Sequence, residues 1–84
     1  MDRIEYFICK EFGSRVRNLR KRCGLSQELL ALKAGIDRTY IGRIERGKAN
    51  PTLITIIKIS AALGVNPQAL FPDSSKNGQQ KERM

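Results

Sequence analysis

An all-α fold is the expectation for this chain, and three observations carry it. Apolar residues recur mainly every three or four positions, Ser, Asp, Thr and Asn stand where helices need capping, and glycines stand where helices need to stop. At the N-terminus, Asp2 and Glu5 have the spacing of a capping box, and Ile4, Phe7, Ile8 and Phe12 continue at helical spacing. Gly13-Ser14 leaves open whether this is one bent helix or two. Phe12, Val16, Leu19 and Cys23 then form one apolar stripe, with Arg15, Arg17, Arg20, Lys21 and Arg22 directed elsewhere.

The most informative stretch is Leu25 to Gly47, LSQELLALKAGIDRTYIGRIERG. Ser26 caps a helix that begins near Gln27, and Gly35 supplies the left-handed residue that ends it. Ile36 plugs the corner. Asp37 then caps a second helix whose Ile41 and Ile44 face inward, and Gly47 closes it. Two short helices joined by a glycine-containing turn form a unit whose second helix fits a DNA major groove. With the isoleucines inward, Arg38, Thr39, Gly42, Arg43 and Arg46 turn to the other side. Arginine presents a planar fork to guanine O6 and N7, threonine suits a base edge or a thymine methyl, and Gly42 is expected to permit close approach.

Residues 52–63 are β-branched and strand-like by propensity. The Thr52 cap, the length to Gly64 and a shared face of Leu53, Ile56, Ser60 and Leu63 nevertheless predict a helix. A short last helix follows, with Asn66 as cap, Pro67 in the first position and Ala69, Leu70 and Phe71 as its apolar content, before Pro72. The final residues, 73–84, are polar and without periodicity, the pattern of a mobile tail. The expected organisation is an N-terminal helical extension over 1–10, a DNA-binding domain over 11–72 and the tail.

These motifs resemble the phage repressor and Cro-type helix-turn-helix family. The matching pieces are the SQE opening at Ser26 to Ala31, the turn Ala34-Gly35-Ile36, the IERG close at Ile44 to Gly47, Asn50-Pro51-Thr52-Leu53, and Ala62-Leu63-Gly64-Val65. The resemblance implies a compact five-helix, lambda-repressor-like domain that binds operator DNA as a homodimer. It implies base reading by Arg38, Thr39 and Arg43, and backbone contact by Gln27, Tyr40, Arg46, Lys48 and Asn50. Gln27 would also brace the base-reading residues, and Tyr40 has packing on the domain surface as an equal reading. The last helix would supply the dimer interface through Val65, Leu70 and Phe71, with Leu70 more inward. Within the family, the Phe12-Gly13 start, Arg38-Thr39-Tyr40-Ile41 and the IERG close look most similar to controller proteins of restriction-modification systems. Lys48-Ala49-Asn50-Pro51 is nearer the general family pattern. Leu29 and Leu32 depart from it, standing where relatives are commonly polar. The N-terminal segment, through Phe7 or Ile8, is the expected cover for them, with a protein partner as the alternative.

Composition bounds the function classes. The 84 residues allow one small domain that gains from a partner, and the net charge of +8 points to an anionic one. Double-stranded DNA fits better than a membrane surface, because the cations are spread over several elements and no long apolar span is present. There is no His, no nucleophile or paired-carboxylate constellation and no phosphate-binding glycine loop, so the expectation is a non-enzyme without metal or cofactor. Cys9 and Cys23 lack metal-like spacing and are expected to be reduced, buried thiols of a cytoplasmic protein. The expected partners are operator DNA, a second copy and, at a promoter, RNA polymerase. The alternatives are an antitoxin that inhibits a protein partner and represses its own operon, and a non-specific nucleic-acid chaperone. The chain lacks the aromatic platform that the chaperone would need.

Overall fold

In a computed structural model, which describes residues 1–71, the chain forms α1 (Arg3–Arg22), α2 (Gln27–Ala34), α3 (Arg38–Glu45) and α4 (Leu53–Leu63), followed by a single 3-10 turn at Pro67–Leu70. The expected tail, with Lys76, Lys81 and Arg83, lies outside the described residues. The capping logic holds at each start. Asp2 Oδ1 accepts from the Glu5 amide (2.8 Å) while Glu5 Oε1 accepts from the Asp2 amide (3.1 Å). Thr52 Oγ1 accepts from the Thr55 amide (3.2 Å), and Asn66 Oδ1 from the Gln68 amide (2.9 Å). Each bond satisfies an amide that the helix itself leaves free.

The core lies where the helices converge. Val16 of α1, Leu30 of α2, Ile41 and Ile44 of α3, Ile59 of α4 and Leu70 of the 3-10 turn are essentially solvent-free, with Phe12, Ala31, Ala49 and Leu63 around them. The domain encloses one contiguous apolar cluster fed by every element. α1 and α3 meet almost backbone to backbone. A Cβ placed on Gly13 would lie 2.0 Å from the Ile44 carbonyl oxygen, and one on Gly47 would lie 2.9 Å from Lys10 Cα. Glycine at position 13 therefore serves close approach and bends nothing: α1 runs unbroken through it, and the expected boundary at residue 10 falls inside a continuous helix.

Other expectations change in instructive ways. The fifth helix is only one 3-10 turn, since Asn66 and Pro67 start it and Phe71 is already extended. On α4, Leu53 is 72% exposed and Ile59 takes the buried position, so the inward face is Ile56, Ile59, Ser60 and Leu63. Cys9 is buried, but Cys23 at the end of α1 is exposed, its thiol 3.7 Å from the Leu63 carbonyl. Arg20, grouped with the outward cations, is buried. Leu29 and Leu32 remain uncovered, as do Phe7 and Ile8, because α1 packs on α3, α4 and the 3-10 turn and leaves the outer side of α2 bare.

Candidate nucleic-acid interface

The candidate site is built by α2, the turn and α3. Ser26 Oγ accepts from the Leu29 amide (3.0 Å) and fixes the start of α2. Gly35, at φ 70°, adopts the left-handed conformation that lets the Ile36 amide donate back to the Ala31 carbonyl (2.9 Å). Asp37 Oδ1 then accepts from the Thr39 amide (2.9 Å) and the Asp37 carbonyl from the Tyr40 and Ile41 amides, which fixes the start of α3. Ile41 and Ile44 pin the inner face of α3. Arg38, Thr39 and Arg43 remain exposed on the helix, Arg46 is exposed at its C-cap, Lys48 and Asn50 are exposed just beyond it, and Tyr40 is half-buried against the core.

Gly42 is not on the open face. It is buried, and a Cβ there would meet Arg46 Nη1 at 3.3 Å and Gln27 Oε1 at 3.7 Å. Its small size instead leaves room for the Arg46 guanidinium, with the Gln27 amide at ordinary contact distance. Arg43 also has a protein partner, its Nη2 donating to the Lys48 carbonyl (3.1 Å). That bond steadies the chain leaving α3 and holds the guanidinium at the edge of the exposed face.

Behind this face stands a buried ionic network. Arg20 donates through Nε and Nη2 to the two oxygens of Glu45 (2.6 and 2.9 Å) and through Nη1 to the Leu25 carbonyl (2.9 Å). Gln27 Nε2 donates to Glu45 Oε1 (3.0 Å). The Arg20 and Glu45 side chains are only 10% and 3% exposed, so the ion pair joins α1 to the end of α3 in a nearly dry setting. The hydrogen bond to Glu45 raises the Arg20 pKa, opposed by desolvation, and the guanidinium stays charged. Because Nε2 is committed to Glu45, the Gln27 amide is oriented with Oε1 toward Gly42. Arg17, Arg20, Gln27, Glu45 and Arg46 line a cleft of about 330 Å³ at this junction. Sequence reasoning missed Arg20, Glu45 and Arg17. Five cations between residues 15 and 22 gave no contrast, and the partner of Arg20 stands 25 positions away.

Of the residues assigned to dimerisation, Leu70 is wholly inside the chain's own core. Val65 is half-buried, and Phe71 packs its ring on Phe12 (centroids 5.5 Å apart) while staying 39% exposed. Among the described residues, no group of His, Cys, Asp and Glu is placed to hold a metal ion, and no helix is long and apolar enough to cross a membrane.

The family model described as Helix-turn-helix matches residues 16–70, which include the whole α2–turn–α3 unit. The chain belongs to this helix-turn-helix family. Among its relatives is the control protein C.MunI from Mycoplasma sp, 46% identical over 66 residues that span 77% of this chain and 89% of the relative. The crystal structure of the restriction-modification controller protein C.AhdI from Aeromonas hydrophila is 48% identical and superposes with a TM-score of 0.74 over 75% of this chain and 96% of that one. The structure of the controller protein C.Esp1396I as a tetramer in complex with its natural 35 base-pair operator is 33% identical, with a TM-score of 0.71 over 76% and 84% of the two chains. The helix-turn-helix unit thus sits in a fold shared with controller proteins across nearly their full length.

Proposed function

We propose that the chain is a sequence-specific DNA-binding transcription regulator, the autoregulatory controller protein of a restriction-modification system, acting as a homodimer on a two-fold-symmetric operator. The observation that carries this reading is the exposed face of α3. It is basic, it is held rigidly by two caps and a buried ion pair, and it belongs to a chain similar to control proteins over most of their length. In this reading Arg38, Thr39 and Arg43 meet base edges in the major groove. Arg43 exchanges its bond to the Lys48 carbonyl for guanine acceptors when DNA is present. Gln27, Tyr40, Arg46, Lys48 and Asn50 contact sugar and phosphate and set the register. Arg17 and Arg46 flank the cleft beside Gln27, a seat for one backbone phosphate. Val65 and Phe71 contribute to the two-fold contact, which places two recognition helices about 34 Å apart on one side of the duplex. The protein then works in the cytoplasm on nucleoid DNA by occupying a promoter, where it blocks or recruits RNA polymerase.

One observation favours a second reading. Leu29 and Leu32 are 48% and 77% exposed on the outer side of α2. An antitoxin would bind its toxin through such a patch and use DNA binding for autoregulation. Selection of genomic DNA fragments with the purified protein at about 150 mM salt, where charge-only binding is suppressed, tests the proposal. A two-fold-symmetric site beside the protein's own gene and a nuclease gene is expected; absence of any enriched motif would overturn it.

A further inference from the structure

The first two turns of α1 stand clear of the domain. Every residue from Met1 to Ile8 is exposed, and Cys9 is the first that is buried. This segment precedes the matched family region at residues 16–70. A free helical end needs only polar residues, yet Ile4, Phe7 and Ile8 are 70%, 59% and 48% exposed. Ile4 and Ile8 are one turn apart, and the buried Phe12 follows one turn later on the same flank, with the ring of the partly exposed Phe71 tilted against it. Three large apolar side chains thus stand in solvent on the free end of α1, and Phe71, itself partly exposed, lies against the buried Phe12 where that end enters the domain.

The charge of the segment narrows the occupant. Residues 1–11 carry three carboxylates and two side-chain cations, whereas the other fourteen cations and five carboxylates lie beyond them. A strip in an almost neutral segment is not drawn to DNA or to an anionic membrane, and it is the part of this basic chain that another copy can approach with least repulsion. Its inner end also runs into Phe71, on the face proposed for the two-fold contact. We propose that the free turns of α1 dock on a second copy of this chain, with Ile4, Phe7 and Ile8 of each chain packing against the same strip of the other beside Phe71. Such a contact is isologous, so one strip serves both sides.

The inference extends the proposed two-fold assembly but does not depend on which bases α3 reads, and the test keeps them apart by measuring self-association without DNA. Sedimentation equilibrium would compare the full chain with Ile4→Glu/Phe7→Glu, and with Leu32→Glu as an equally exposed apolar control on α2. All three sites are on the surface, and circular dichroism checks that the helices remain; Ile4→Ala/Phe7→Ala supplies the same comparison if the glutamates unwind the end of α1. Wild type is expected to self-associate, the α1 variants to raise the dissociation constant at least about tenfold, and Leu32→Glu to match wild type. A monomeric wild type, unchanged association of the α1 variants, or equal weakening by Leu32→Glu would overturn the proposal. Failure of the DNA reading would appear separately, as absence of base preference by wild type on a single half-site.

Discussion

Arginine can serve the protein or the nucleic acid, and in the proposed function individual residues of this chain divide those tasks. Arg20 is spent internally on Glu45, whereas among the described residues the Arg38 side chain has no hydrogen-bond partner and Arg43 donates only to the Lys48 carbonyl. Arg20→Ala should therefore act on stability, because it leaves a Glu45 carboxylate that is 3% exposed with the neutral Gln27 amide in place of its counter-charge; a loss of about 3 kcal/mol is expected in urea unfolding. Arg38→Ala or Arg43→Ala should leave unfolding almost unchanged and cost about 1–3 kcal/mol on the operator, with relaxed base preference, while Arg46→Ala should weaken all sequences alike. Equal losses by all three on operator and random DNA would remove the distinction between reading and positioning. Two glycines offer a similar contrast. Gly13→Ala forces a Cβ into the Ile44 carbonyl and should destabilise by about 1–3 kcal/mol or more, since backbone must move. Gly42→Ala meets only the tip of Arg46 and the Gln27 amide, so its effect should fall on DNA affinity while the melting temperature holds.

At the level of the elements, the helices with clear contrast were legible and the rest were not. In α3 a polar residue flanks nearly every apolar one, so Ile41 and Ile44 could be assigned inward, as they are. In α4 the run Leu53 to Ile59 is apolar almost throughout, and periodicity could not tell Leu53, which is outside, from Ile59, which is inside. The Ser26, Asp37 and Thr52 caps were readable because capping is local chemistry. The role of Gly13 and the Arg20–Glu45–Gln27 network were not, because both depend on α1 meeting α3 across more than twenty residues of chain. The same packing explains the bare leucines of α2: α1 is committed to α3, so its N-terminal turns extend beyond the domain instead of folding over Leu29 and Leu32. Cys9 and Cys23 give an element-level check on that arrangement. Alkylation under native conditions should modify Cys23 rapidly and Cys9 only on unfolding.

For the whole molecule, a net charge of +8 supplies attraction to any duplex, and in the proposed function the shape of α3 and its two-fold repetition supply choice. Phe71→Ala is expected to weaken dimerisation in sedimentation, and with it binding to a full operator more than to a half-site; an unchanged dimer would move the interface away from Phe71. Base reading by α3 is the decisive step of the proposed function. Its most direct test is selection and sequencing from a random duplex pool at about 150 mM salt, run in parallel with wild type, Arg38→Ala and Arg43→Ala. A two-fold-symmetric motif is expected for wild type, with preference lost at different positions of each half-site in the two variants. A wild-type pool without a motif, or variant motifs identical to that of wild type, would contradict it.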